Sequence, residues 1–374
     1  MRYRRTIGAA GVALLCAGCG GADAPEAAVR ATRDLGPLPF EPVIRGRDGG
    51  YSARWGDRSV WVFGDTTLET PGEDGLLWRS STFCATGDLD ASDGLSALTE
   101  PLDAAGAPGE FVPFTEEERA FNLTHFGPLA EQECEEDCGA RYALWPGPIV
   151  ADDATGRALV FYSKLMARPG AFNFELLGSS VAVWERLDAP LARPEVRPGA
   201  ADPTVLFGAD EPALTAAALV REGMVYAYAC ACAGLTCPCL VARAPAAQAT
   251  ERGSWRFYSD GGWVDGHDEA EPVMAGAPMM SVHWNERAGR YIALYSEPVS
   301  SHISLRTAPA PEGPWSDSVV VFTAEAPPNP EAWPYAGLGH AELAREGGRF
   351  EYMTYFRETG FLEGEIRLVE LELE

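Results

Sequence analysis

The stretch DGGYSARWGDRSVWVFGDTTL, Asp48 to Leu68, carries an aspartate near each end of an alternating apolar pattern. Two carboxylates held close together can divide acid and base work. Mutual repulsion makes one hold its proton more firmly than a free aspartic acid does, while the other stays ionised. That inventory suits cleavage of a glycosidic bond. Whether the two acids meet depends on the elements around them. Gly56-Asp57 is a two-residue hairpin turn signal. Pairing across it sets Trp55 against Arg58, Ser52 against Trp61, Gly50 against Phe63 and Asp48 against Asp65. Directly opposed residues have Cβ atoms roughly 4.5–5.5 Å apart. A carboxyl separation near ~5 Å suits a retaining mechanism and a wider one an inverting mechanism. A slip of one residue would part the pair. Turn and strand-capping duty is the competing explanation for both aspartates, and the sequence does not say which of them would be the acid.

The hairpin is one of five. SARWGDRSVWVFGD, IVADDATGRALVFYSK, ALVREGMVYAYAC, SVHWNERAGRYIALYSE and AELAREGGRFEYMTYFR share alternation, a Gly- or Asp-containing turn, and an aromatic near the end. The landmark aromatics are Phe63, Tyr162, Tyr228, Tyr295 and Tyr355, at spacings of 99, 66, 67 and 60. A third strand follows most copies (SSVAVWERL, CLVARAPA, HISLRTAPAP, EIRLVELEL) and a fourth follows some. Small antiparallel sheets repeated at such even spacing describe an all-β, five-bladed β-propeller; a β-sandwich would not require the spacing. The last blade runs out after its third strand, so GPLPFEPVIR near residue 40 is expected to close the ring. The long first interval holds an acidic insertion at about 72–141, with TEEERAFN as a helical turn.

In a propeller the start of each inner strand and the end of the next strand open on one face. Asp48 and Asp65 therefore belong at a channel mouth. Two residues beyond each landmark aromatic stand Asp65, Lys164, Cys230, Glu297 and Arg357. Trp145, His340 and Glu342 are read as lying on the strand-start side of the same mouth. Lys164, Arg357, Trp145 and His340 are candidate substrate contacts. Glu297 and Glu342 join them there and are the reserve carboxylates.

The chain has 374 residues, 46% hydrophobic and 10% aromatic, with 40 glycines and 29 prolines, a composition suited to a turn-rich β protein. Its net charge of −26 repels phosphate backbones and argues against nucleic acid as a partner. Arg2, Arg4 and Arg5 precede a short apolar run ending in LLCAGC, the pattern of an exported lipoprotein. Residues 1–18 read as its signal peptide, with lipidation at Cys19, a flexible tether over 19–35 and the propeller over 36–374. The molecule is expected at the cell envelope or outside the cell, monomeric, and touching membrane through the lipid alone. Beyond Cys16 and Cys19, seven cysteines remain. In CACAGLTCPC a four-residue loop would set Cys232 against Cys237 and Cys230 against Cys239. Disulfides fit an exported chain better than a zinc site does. Cys134 and Cys138 are further disulfide candidates, and an odd count leaves one cysteine unpaired or partnered elsewhere.

WVDGHDEAEP gathers acids around His267, more as a solvated loop than as a cation site. Serine-nucleophile, phosphate-loop and dinucleotide motifs are absent. No cofactor or metal ligand set is expected, although a channel of this kind has room for a structural cation.

DGGYSARWGDRSVWVFGDTTL, SVHWNERAGRYIALYS, LRTAPAPEGPWSDSVVVFT and YAGLGHAEL together resemble a bacterial five-bladed propeller family, some members of which are endo-D-arabinofuranosidases. The resemblance covers most of residues 40–374. It implies a glycoside-hydrolase site with the acid pair carried onto Asp48 and Asp65. The cysteine-rich third blade, the acidic insertion, and Ala341 where proline is expected depart from the family pattern, so the substrate need not be arabinan. The sequence thus points to an exported glycoside hydrolase acting on a polysaccharide. A non-catalytic glycan-binding surface lipoprotein is the alternative.

Overall fold

A computed structural model describes residues 28–128, 130, 134–170 and 172–374. The expected signal peptide, Cys19 and most of the tether lie outside them. The described residues form a five-bladed β-propeller with one α-helix. Blade 1 is built from Ile44–Trp55, Arg58–Leu68 and Thr82–Thr86, blade 2 from Arg141–Asp152, Arg157–Ala167, Phe174–Trp184 and Phe207–Gly208. Blade 3 begins with Ala217–Arg221, Met224–Cys230 and Pro238–Pro245, blade 4 with Met280–Asn285, Arg290–Ser296 and His302–Ala308. Blade 5 comprises Tyr335–Gly339, Phe350–Gly360 and Glu363–Leu373. Each inner strand touches the inner strands of both neighbours, closing a ring.

The strand pattern explains the packing. Val60, Trp61, Val62 and Phe63 are all fully buried. Alternate residues of a strand point to opposite faces of the sheet. Val60 and Val62 therefore pack toward blade 2, while Trp61 and Phe63 pack toward blade 5. The other three gaps between blades hold apolar clusters of the same kind.

Ring closure differs from the expectation. The fourth strand of blade 5 is Val29–Pro37, antiparallel to Glu363–Leu373, with Val29 opposite Leu373 and Pro37 opposite Arg367. It begins several residues before GPLPFEPVIR, overlaps it at Gly36 and Pro37 alone, and takes up the end of the segment read as a tether. Salt bridges from Arg33 to Glu370 and from Arg367 to Asp34 reinforce this register, which those apolar-poor residues could not hold by burial alone.

The fifth hairpin also shifts. Its inner strand is Tyr335–Gly339, not AELAR, because Ala341–Leu343 forms a 3₁₀ turn. Small residues make the earlier segment fit. A Cβ at Gly337 would come 2.8 Å from the Ser296 nitrogen, and one at Gly339 would come 2.9 Å from Ser281 Oγ.

Within the insertion, Thr82–Thr86 serves as an ordinary third strand of blade 1, and Trp78–Arg79 pairs with Thr66 and Thr67. The helix is Glu116–His125, longer than one turn. Thr115 and Glu118 form a reciprocal capping box at its start. Cys230–Cys239, Cys232–Cys237 and Cys134–Cys138 are disulfides, and among the described residues Cys84 is the free cysteine, buried.

Candidate active site

Asp48 and Asp65 come together at one mouth of the ring, though not by direct opposition. Gly49 pairs with Phe63 and Arg47 with Thr66, with register shifts on both sides of Gly49. Gly49 and Gly50 have φ of 85° and 94°, a backbone that only glycine adopts without strain. The two bulges offset each other: the first leaves Gly50 unpaired, and the second sets Asp48 against both Gly64 and Asp65, so the count across the turn is restored at Arg47–Thr66. Asp48 consequently leans over Gly64. Its Oδ1 lies 2.6 Å from where a Cβ on Gly64 would stand, so a glycine is required there. Close by, the Arg47 guanidinium lies between the Phe40 and Phe63 rings and pairs with buried Glu100, at 2.9 Å, fixing this strand.

The environments of the two acids differ. Asp48 Oδ2 accepts a hydrogen bond from Tyr335 Oη at 2.8 Å. Burial, with the negative charge of Asp65 adding to it, pushes the Asp48 pKa up to about 7, although the tyrosine bond works in the opposite direction. Asp65 Oδ1 accepts two indole N–H bonds, from Trp78 and Trp145, each at 2.9 Å. Burial raises the Asp65 pKa as well, but the positive charge of Arg141 and the two indoles oppose that rise. Asp48 is thus the proton carrier near neutrality. Asp65 is the better-stabilised anion, and both indoles bind one of its oxygens, leaving Oδ2 without a hydrogen-bond partner among the described residues.

Three of these groups escaped the sequence reading. Tyr335 reaches Asp48 across nearly the whole chain, from the inner strand of blade 5. Trp78 comes from the insertion, and Arg141 opens the inner strand of blade 2, stacked on Trp78 at 4.3 Å and on Phe126 at 4.8 Å. The only local signal was an aromatic and an arginine at the borders of the insertion. The helix puts Phe126 there. Glu118, one turn into it, bonds Arg193 and Lys164 of the blade 2 region, each at 2.6 Å. Although burial opposes ionisation, these two cations hold Glu118 down to about 2.

The remaining expected residues divide. Trp145 is at the site, but its indole holds Asp65 and its ring packs on Phe174 at 4.9 Å. Lys164 is buried and bound to Glu118 and Asp202. Arg357 pairs with Glu325 at 2.7 Å and Glu365 at 2.8 Å. Glu297 accepts from Ser304 Oγ at 2.7 Å and lies 3.6 Å from His302 Nδ1, within its own blade.

His340 and Glu342 require correction: they sit at the opposite mouth. Both follow the inner strand of blade 5 instead of starting it, because that strand is Tyr335–Gly339. His340 is fully buried between Ser52 and Thr354 and lies against Trp61. Burial, aided by the charge of His283, pulls it down to about 3, so it is neutral. Glu342 accepts from Ser52 at 2.5 Å and Ser59 at 2.7 Å, and with His283 lines a cavity of about 350 Å³ at that end. Among the described residues no group of three or more His, Cys, Asp or Glu converges as metal ligands, the His267 loop included.

Comparison with known proteins agrees with this architecture. The model of a family described as a domain of unknown function, DUF4185, matches residues 184–347, from the end of the third strand of blade 2 into blade 5. No curated protein matches the sequence. Among solved structures, a Bacteroides ovatus protein described as a candidate hydrolase superposes with a TM-score of 0.55 at 14% identity, over 90% of this chain and 87% of that one. A family 117 glycoside hydrolase from Zobellia galactanivorans gives 0.49 at 12% identity, over 91% and 90%. The catalytic domain of a Coprinopsis cinerea α-L-arabinofuranosidase gives 0.48 at 11%, over 91% and 95%. At 14% identity the likeness to the Bacteroides ovatus protein is one of fold.

Proposed function

We propose that the protein is an exported glycoside hydrolase acting on a polysaccharide, with Asp48 as the general acid and Asp65 as the nucleophile or base. The observation that carries this reading is the unequal pair. One carboxyl keeps its proton to about pH 7. Its neighbour is held by two indole donors and a nearby guanidinium. Environments that push two carboxyls apart in this way assign acid and base roles. Both side chains remain partly accessible at the mouth.

In the proposed reaction Asp48 gives its proton to the glycosidic oxygen as the C–O bond breaks. Asp65 Oδ2 attacks the anomeric carbon, or takes a proton from the water that does. The indoles fix the Asp65 carboxylate plane, so little reorganisation is needed as its charge is used. Tyr335 holds Asp48 in place and can follow its loss of a proton with a stronger hydrogen bond. A lipid at Cys19 would hold the enzyme at the cell envelope, and a single propeller would work as a monomer.

The test is digestion of a polysaccharide panel by wild type, Asp48→Asn and Asp65→Asn. Each substitution is expected to lower kcat by roughly 10²–10⁴-fold. Wild type should show a bell-shaped pH profile whose alkaline limb falls near pH 7 and is missing in Asp48→Asn. Hydrolysis that survives both substitutions would refute the assignment. Binding of a glycan without hydrolysis by wild type would make this a glycan-binding lipoprotein instead.

A further inference from the structure

Arg141 stands apart from the other cations near the carboxylate pair. Lys164, Arg357 and Arg45 are each matched by protein carboxylates. The Arg141 side chain makes no hydrogen bond or ion pair with any described residue, and its Nε is buried without a partner among them. What holds it is stacking, on Trp78 from one element and Phe126 from another. Those rings fix the plane of the guanidinium and so aim its fork. A buried donor without an acceptor is costly. This chain has 55 acidic residues, so protein carboxylates are not scarce. Asp65 interacts with Arg141 through its charge but is not bonded to it.

We propose that Arg141 is a substrate-binding residue that recognises an anionic substituent, a carboxylate or a sulfate ester, on the sugar beside the scissile bond. This rests on the glycosidase reading of the same mouth. A planar fork fits either group through two parallel hydrogen bonds, which a neutral hydroxyl cannot supply in that geometry. The insertion sets the specificity, because Trp78 and Phe126 hold the guanidinium and both come from it. The preferred substrate is therefore an acidic glycan.

The test measures binding, which separates it from the test of catalysis. Asp48→Asn protein is titrated calorimetrically with acidic oligosaccharides containing glucuronate, galacturonate, mannuronate or sulfated sugars. Each is paired with its carboxyl-reduced or desulfated counterpart, which distinguishes the two sources of charge. At least one acidic member is expected to bind roughly ten- to a hundredfold more tightly than its neutral counterpart. Adding Arg141→Gln should erase the difference, and Arg141→Lys should keep part of it, with unchanged unfolding midpoints showing that both variants fold. Equal binding of every acidic and neutral pair, or a preference that survives Arg141→Gln, overturns the proposal. A preference for acidic glycan without hydrolysis by wild type would sustain it while refuting the glycosidase reading.

Discussion

Asp48 is a destabilising residue at neutral pH, and the sign of that effect is testable. Its pKa rises from 3.8 to about 7 on folding. Between those values the native state keeps a proton that the unfolded chain has released. Stability from this group is therefore complete below about pH 4 and is lost as pH rises through 7. Asp48→Asn should raise the free energy of unfolding at pH 8, by on the order of a few kcal/mol at most, and make little difference at pH 4. An equal effect at both pH values would mean that the carboxyl is not held protonated. At this scale the sequence revealed the pair but not the manner of its meeting. Counting from Gly56-Asp57 was correct from Trp55–Arg58 to Tyr51–Val62 and again at Arg47–Thr66 and Gly46–Thr67, and it failed between them, where Gly49 and not Gly50 faces Phe63 at two glycines with positive φ. Alternation sets which face a residue occupies, whereas the backbone angle of a glycine depends on what surrounds it. Tyr335 was illegible for a related reason, since the contact that matters spans 287 residues.

At the scale of elements, the helix Glu116–His125 transmits position from the insertion to the site. Glu118 caps the helix and also bonds two buried cations. Removing it leaves Lys164 and Arg193 without their shared anion, although Lys164 keeps Asp202. Glu118→Ala should cost about 3–5 kcal/mol, measured by denaturant unfolding. The loss should appear on the acid side in wild type, because a carboxyl held near 2 contributes above its unfolded value of 4.5 and ceases to contribute as pH falls toward 2. A cost below about 1 kcal/mol would show that the helix docks by other means. TEEERAFN announced this helix because its capping box is local. Its docking was silent, because Arg193 lies far along the chain. The cysteine ladder was legible for the opposite reason: period-two alternation and a short loop alone oppose Cys230 to Cys239 and Cys232 to Cys237.

Across the whole molecule, five repeats revealed the ring, while its closure was displaced. Arg-, Asp- and Thr-containing residues 29–34 lack an apolar alternation, so nothing in them marked a strand. Ion pairs to Glu363–Leu373 supply what burial does not. Deleting residues 28–37 exposes the edge of that strand, and an unpaired edge invites association. The truncated protein should unfold at a lower temperature and self-associate as concentration rises, read by calorimetry and size-exclusion chromatography. An unchanged midpoint would show that the ring closes without this strand.

The direction of that closing strand also orients the molecule. It runs from Val29 beside Leu373 toward Pro37 beside Arg367, while Tyr335 and the carboxylates lie at the Arg367 end. The Glu374 nitrogen bonds the Ala28 oxygen, so the described residues begin and end together at the back of the ring. Coupling the protein to a bead or sensor chip through its C-terminal residue would present the mouth that carries Asp48 and Asp65 to the solution. A polymer too large to enter a crowded surface layer could then still be reached by the immobilised molecule.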